Sequence, residues 1–465
     1  MREMQERNSQ DQREPLVLPF SLEQESFFGT YPVTAANTTP TYRVDGALDV
    51  GALRAAVHLL KQRHEALRFR ITPRGRPSGQ VIAPPERTGL ETAQVSPQRL
   101  WEHVDEAHSV PLDLAGEGPV RFRLYRTTPQ QHFLCTTIHS AALDAWGVGI
   151  VNRELWDLYD HVRSGSPADP AMPLYTFTDH IRRQQAAGGK LTAPQRYYFR
   201  EQVAGLAALS LSFPLPVPPK AADARGIATP VLLADEQFTV DAASVDRIAR
   251  LARERGVTTA AIFLAGFELG LCFAAGADSG GLSCVYIGRE RPETQGMAAA
   301  LARRVPLRFE VAASDRLGDF IERAMLGWAL AVSKSGPPYS SARLVQEIGG
   351  RAGAFEPVFN FRVFGTSARR APGTRPNRPS VQRVQEPCPR AMPMWSQFGE
   401  AALFALVSHG KPLTVTAIYD PRQVPAVNVK TVFAAYEHVM QNLGADSGVS
   451  VTIGRLRASL SQQHR

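Results

Sequence analysis

The sequence predicts a mixed α/β (α+β) chain of more than one domain, and three observations carry that expectation. A length of 465 residues exceeds what one hydrophobic core usually organises, so two or three domains are expected. His132-Phe133-Leu134-Cys135-Thr136-Thr137-Ile138 is a short apolar and β-branched run of the kind that forms a buried strand. Val151, Leu155, Leu158 and Tyr159 then recur at helical spacing, so a strand gives way to an amphipathic helix. No self-similarity of solenoid period is apparent.

The stretch Met1 to Glu14 is polar and mixed in charge, and is expected to be a disordered tail rather than a targeting segment. No apolar run approaches the roughly 20 residues that a spanning helix needs. No membrane partner is expected, and a cytoplasmic location is the default. Cys135, Cys272, Cys284 and Cys388 lie far apart without Cys-x-x-Cys spacing, which suggests neither a metal site nor a disulfide framework. Cys135 and Cys284 fall in apolar strand-like runs and read as small core residues. The formal net charge is +8. Part of it lies in a Pro-rich segment that holds Arg369, Arg370, Arg375, Arg378, Arg383 and Arg390 against the acid Glu386. That segment reads either as a solvated surface loop or as an electrostatic landing site for an acidic partner. Nucleic acid is not an expected partner, because no matching motif and no basic helical stripe is found.

Between the strand run and the helical run lies Ile138-His139-Ser140-Ala141-Ala142-Leu143-Asp144-Ala145-Trp146. A His followed five residues later by an Asp is weak evidence by itself. On a turn between strand and helix it is stronger, because such a turn holds side chains rigidly and still lets them point into a cleft. Neighbours on an extended strand face opposite ways, so His139 and Ser140 are not expected to pair as nucleophile and base. The small residues Ala141, Ala142 and Ala145 favour an open passage around the motif.

This stretch resembles the His-His-x-x-x-Asp-Gly signature of the condensation domains of nonribosomal peptide synthetases, thioester-dependent acyltransferases related to chloramphenicol acetyltransferase. Ser140 stands where that family carries its catalytic second histidine, and Ala145 replaces the glycine. Other elements resemble the family in order along the chain. Pro19-Phe20-Ser21 with Gln24 resembles its opening element, and Arg63-His64-Glu65-Ala66-Leu67-Arg68 is similar to its Arg-His-Glu-x-Leu-Arg block. Leu112-Asp113-Leu114 through Pro119, Arg121 and Leu124 resembles the next, and Tyr197-Tyr198-Phe199-Arg200 with Gln202 a helix of the crossover. Gly288-Arg289-Glu290-Arg291-Pro292-Glu293 resembles the Gly-Arg-x-x-x-Glu loop, closed by Pro306-Leu307-Arg308. Pro357-Val358-Phe359-Asn360-Phe361 and Leu413 to Asp420 complete a resemblance that runs from about residue 15 to about 445.

The resemblance implies two chloramphenicol-acetyltransferase-like lobes forming a V-shaped pseudo-dimer, with the active site at their junction. It places an N-terminal lobe at 15–180 carrying His139-Ser140-x-x-x-Asp144, a C-terminal lobe at 181–450 and a tail at 451–465. The crossover is expected around Thr176 to Leu206, and the basic Pro-rich region is expected to hold a latch from one lobe to the other. By the same resemblance His139 packs inward and supports the geometry, whereas the tunnel side presents the Ser140 hydroxyl. Asp144 is implied to be structural and to pair with Arg289. Ala145, Trp146, Leu301, Arg303 and Asn360 are candidate tunnel residues, with Leu301 and Arg303 standing where the family usually has Phe and Asn. Among the other histidines, His64 belongs to a structural block and His58, His161, His180 and His438 read as helix residues. His409, beside Gly410 between two strand-like runs, is the candidate to lie near Ser140.

The resemblance implies no bound metal or redox cofactor. The substrate is expected on the phosphopantetheine of an acyl or peptidyl carrier protein, or as a coenzyme A thioester. No adenylation, thiolation or thioesterase signature flanks the matched region, so a freestanding member working with other biosynthetic enzymes is expected. A placed histidine typically contributes ~10²–10⁴-fold through general acid or base assistance, and a serine hydroxyl cannot replace it without another base. A free amine already attacks thioesters, so positioning alone could sustain amide or ester formation. Three readings stay open: acyl transfer or a related tailoring reaction with a rebuilt site, a noncatalytic docking or recruitment module, and an unrelated activity in the same fold.

Overall fold

A computed structural model describes residues 16–30, 37–38, 40–72, 79–85, 89–165, 173–203, 234–336, 357–362, 379–384, 403–408, 412–419, 421, 424–443 and 448–463. Residues 1–14, Arg369, Arg370, Arg375, Arg378, Glu386, Cys388, Arg390 and His409 lie outside them.

The strand run ahead of the motif becomes the spine of an N-terminal lobe. In chain order the lobe comprises α1 (Leu22–Thr30), β1 (Asn37–Thr38), β2 (Thr41–Asp45), α2 (Val50–Arg63), β3 (Phe69–Ile71), β4 (Gln80–Ile82), β5 (Leu90–Gln94), α3 (Leu100–Ser109), β6 (Val120–Thr128), β7 (Gln131–His139) and α4 (Ala145–Arg163). β7 lies between β2 and β6, and every residue after Gln131 in it is buried because helices cover both sheet faces. On one face Phe122, Leu134 and Ile138 pack with α2 and α4, and on the other Tyr125, Phe133 and Cys135 pack with Val104 and Ala107 of α3. The end of α2 is tied to α4 by His64, whose Nε2 lies 2.8 Å from a Glu154 carboxylate oxygen.

Two helices, α5 (Phe177–Ala186) and α6 (Ala193–Val203), follow the first lobe. The boundary expected between 180 and 181 falls inside α5, whose Phe177 and Ile181 pack with Leu18, Ala66, Met297, Ala299 and Leu301. In α6, Phe199 is buried and Gln202 accepts a hydrogen bond from the Arg308 N–H at 3.3 Å.

The C-terminal lobe is built from β8 (Ala234–Val240), α7 (Ala242–Arg255), α8 (Thr259–Ala275), β9 (Ser279–Tyr286), α9 (Pro292–Gln295), β10 (Arg303–Glu310), α10 (Leu317–Lys334), β11 (Val358–Arg362), then, after β12 (Ser380–Arg383), β13 (Leu403–Ser408), β14 (Leu413–Tyr419), α11 (Ala426–Leu443) and α12 (Ile453–Gln463). Its mixed sheet runs β10-β9-β11-β13-β14-β8. Cross-strand partners share a face, so the register assigns Val305, Cys284, Phe359, Ala405, Val415 and Phe238 to a dry side under the helices. Asn360, Leu406 and Thr416 take the opposite, half-buried side.

β12 leaves this lobe and adds antiparallel to β2 at the edge of the N-terminal sheet, pairing Ser380–Arg383 with Asp45 to Tyr42. The region expected to cross between the lobes therefore does so as a strand, and Val381 packs against the N-terminal core. Of the segment 451–465, expected as a tail, the described residues 451–463 are instead an integral part of the second lobe. Its α12 buries Ile453 and Leu456 in the core, and Ser459 lies 2.9 Å from His438 Nε2. The short apolar repeat Ile453, Leu456 gives one buried stripe, enough to dock a helix that would be marginal in isolation. Among the described residues no single helix is long and apolar enough to cross a membrane; α8, the most apolar helix, lies buried in the second core. Cys135, Cys272 and Cys284 are free and buried.

Candidate functional site

β7 ends at His139, and Ser140 opens the turn that leads to α4. His139 is 0% exposed, with its ring centroid 5.3 Å from Phe27 and 6.0 Å from Phe28 of α1, and its Nδ1 accepts from the Ala141 N–H at 3.2 Å. Ser140 is half-buried. The two side chains differ in environment as alternation suggests, although Ser140 already lies one residue past the strand. No local sequence pattern marks the aromatic seal that Phe27 and Phe28 place on His139. The Ser21-x-x-Gln24 pattern does mark the start of α1, since Ser21 Oγ accepts from the Gln24 N–H and Gln24 Oε1 from the Ser21 N–H. Nothing local states which side of the chain that helix covers.

Asp144 caps α4, accepting from the Gly147 N–H at 2.7 Å. The same carboxylate reaches into the second lobe. Arg289 donates through Nη1 to Oδ2 at 2.7 Å and through Nη2 to Oδ1 at 3.1 Å, while the Leu301 and Ala302 N–H groups each donate to Oδ2 at 2.9 Å. Arg289, its side chain 1% exposed, also donates to the Ile287, Met297 and Ala299 carbonyls and lies over the Trp146 ring, 5.9 Å from its centroid. Such a bidentate pair, supported by backbone donors and acceptors, is the arrangement in which burying two charges is tolerated. The expected pairing of Asp144 with Arg289 is thus a lock between the lobes.

Two glycines let the segments approach. Gly288 has φ +66°, and a Cβ there would stand 2.0 Å from the Leu301 carbonyl oxygen. A Cβ on Gly147 would stand 3.0 Å from the Ala299 carbonyl oxygen. A second tie comes from α5, where Arg183 donates to Glu293 at 2.8 Å and the Thr178 N–H donates to Glu65 at 2.8 Å.

The candidate tunnel residues do not converge. Ala145 and Trp146 are exposed beside the turn, and Trp146, 41% exposed, donates its indole N–H to the Gln295 carbonyl at 3.1 Å. Leu301 is buried in the cluster with Leu18, Ala66, Phe177 and Ile181, where it closes the lobe junction instead of lining a passage. Arg303 lies on the helix side of the C-terminal sheet by register. Its guanidinium donates to Glu290 at 2.7 Å and Ser335 at 3.1 Å and lies 5.2 Å from the Tyr286 ring centroid. Asn360 is on the other side of that sheet, the side that Arg304 shares by its pairing with Val285. Arg304 is therefore the better companion of Asn360, and a shift of one residue separates it from the expected position. Ala141 and Ala142 belong to the N-terminal core, so their small size serves packing and not an open passage.

Four of the described histidines are occupied away from the motif. His64 meets Glu154, His180 lies 3.5 Å from Glu23, and His438 meets Ser459. His132 is buried near the start of β7, and burial, reinforced by Arg126, pushes its pKa down. None of these contacts involves the Ser140 turn. Among the described residues no group of His, Cys, Asp and Glu is placed to hold a metal ion.

A family model for the condensation domain matches residues 33–387. The nonribosomal peptide synthetase kk1B of Curvularia clavata is 26% identical over 300 residues, which is 64% of this chain and 2% of the synthetase. The chain thus spans a small fraction of that relative. Among solved structures, the X-domain in complex with OxyB from teicoplanin biosynthesis is 17% identical and covers 96% of each chain with a TM-score of 0.75. The first condensation domain of the CDA synthetase, also 17% identical, covers 94% of this chain and 98% of its own with a TM-score of 0.72. With the two lobes, the locked turn and the family match together, this chain belongs to the condensation-domain family and has its chloramphenicol-acetyltransferase-like fold.

Proposed function

We propose that this protein is a recruitment module of a nonribosomal peptide assembly line, one that engages a carrier-protein-borne intermediate and a partner enzyme without base-assisted acyl transfer. One observation carries the reading. The Asp144–Arg289 frame that shapes the motif is complete, while the position of the catalytic base holds the Ser140 hydroxyl. A hydroxyl stays protonated near neutral pH and leaves an attacking amine without ~10²–10⁴-fold of proton-transfer assistance. Keeping the frame while losing the base preserves a surface and not a reaction. The similar X-domain in complex with OxyB supports the idea that this fold can present such a surface.

Acyl transfer is the second reading, and the half-buried Ser140 at the mouth of the turn favours it. There the hydroxyl would orient an amine or hydroxyl acceptor, or donate to the developing oxyanion, as a phosphopantetheine or coenzyme A thioester is attacked. Neither reading requires a metal or a redox cofactor.

The deciding experiment incubates the protein with acyl-carrier-protein and acyl-pantetheine thioesters and a panel of amines and alcohols, with products followed by mass spectrometry. Recruitment predicts no product above background from the wild type, together with saturable binding of a loaded carrier protein. Product that falls with Ser140→Ala would establish acyl transfer instead.

A further inference from the structure

α8 is apolar along nearly its whole length and buried, yet it carries Glu268 at its centre, 1% exposed. Neither carboxyl oxygen has a hydrogen-bond partner among the described residues. The ionisable groups that bear on it are Arg323 of α10, Cys272 one turn further along α8, and Cys284 of β9. Both thiols are held neutral, their pKa pushed up mainly by burial. Arg323 is half-exposed and is bonded to Asp315 at 2.5 Å. Among the described residues the other charges near α8 are paired with one another: Arg457 of α12, 5.1 Å from the Phe273 ring centroid, is bonded to Asp278 at 2.9 Å. α11 meets α8 through Tyr436, whose hydroxyl donates to the Phe263 carbonyl; β11 meets it through Phe359 and Phe361; and Arg255 of α7 is paired with Asp319 and Glu322.

We infer that Glu268 is a proton-dependent brace of the C-terminal lobe: its uncharged carboxyl is the form that the packed α8, β9 and α10 accept, and loss of the proton loosens them. An uncharged carboxyl needs far less solvation than a carboxylate, and among the described residues no donor or unpaired cation is placed to solvate the charged form. Burial accordingly pushes the Glu268 pKa up to about 8 from an ordinary 4.5, with Arg323 opposing only in part. β9, which carries Cys284 within electrostatic reach of this group, runs on through Gly288 to Arg289, so the strand beside Glu268 leads into the lobe lock.

The sign follows from linkage. Between the ordinary and the raised pKa the folded chain holds a proton that the unfolded chain releases. Stability is greatest below the ordinary value and is lost as pH rises, by about a tenfold increase in the unfolding constant per pH unit, until the folded group ionises as well. The test is urea unfolding of the full chain at intervals from about pH 6 to about pH 8.5, for the wild type and Glu268→Gln. Other titrating groups are common to both and cancel in the ratio of unfolding constants. That ratio is expected to change by about tenfold per pH unit and to level off above about pH 8. A ratio independent of pH would overturn the inference. If Glu268→Gln does not fold, infrared spectroscopy of the wild type reads the same group directly. A buried carboxylic-acid carbonyl band at neutral pH that fades as pH rises supports the brace, and its absence at neutral pH overturns it.

Discussion

Arg289 holds both oxygens of Asp144 from the opposite lobe, at 2.7 and 3.1 Å, while the same carboxylate caps α4. One side chain therefore starts the helix behind the motif and fastens the second lobe to the first. Asp144→Asn keeps most of the shape and the cap but leaves Arg289 buried without its counter-charge. A loss of about 3–5 kcal/mol of folding stability is expected, measured by urea unfolding, because an uncompensated buried charge remains. Arg289→Lys should fail similarly, since an ammonium cannot reproduce the bidentate pair and the carbonyl contacts together. A double-mutant cycle showing no coupling would remove the lock from the account.

At Gly288 the loop that carries Arg289 passes close against the Leu301 backbone. Gly288→Ala combines a left-handed backbone, which costs a residue with a Cβ about 1–2 kcal/mol, with a collision against the Leu301 carbonyl. That carbonyl belongs to the residue whose N–H donates to Asp144, so relieving the clash displaces the lock. The expected outcome is a total loss above about 3 kcal/mol, or failure to fold, read from the thermal midpoint and soluble yield.

The position of His139 depends on α1. Phe28→Ala removes one wall of its aromatic seal, and because Phe28 is only half-buried the cost should lie at or below the low end of about 3–5 kcal/mol. The diagnostic readout is the imidazole NMR signal of His139. It should shift and broaden in Phe28→Ala and stay unchanged in Trp146→Ala, whose ring is held by Gln295 and Arg289.

Acid should release α2 from α4. Burial alone would raise the Glu154 pKa, but the hydrogen bond and charge of His64, with Arg63 and Arg153, outweigh it and hold the carboxyl below its ordinary range. A carboxyl depressed in the folded state contributes stability above its ordinary pKa and loses it as pH falls through the folded value. Glu154→Gln should therefore lower stability at neutral pH and flatten the acid limb of the stability curve relative to the wild type. Parallel acid limbs for the two proteins would show that the His64–Glu154 contact does not couple to folding.

What the sequence determined by itself is what local chemistry writes. β7 and α4 are legible as an apolar β-branched run followed by helical spacing, because each buries a face along its own length. Asp144 and Arg289 are legible through the motifs that hold them. The register and packing of distant segments are not written locally, and there the tertiary structure decided. It sealed His139 with Phe27 and Phe28, sent Leu301 into the lobe junction, and put Arg303 on the dry side of a sheet whose other face carries Asn360 and Arg304. A strand's side chains alternate, so one residue of register separates a core position from a site position, and no feature within the strand states which neighbour will cover it. The same reason turned an expected tail into α12, since two apolar side chains mean little until a core receives them.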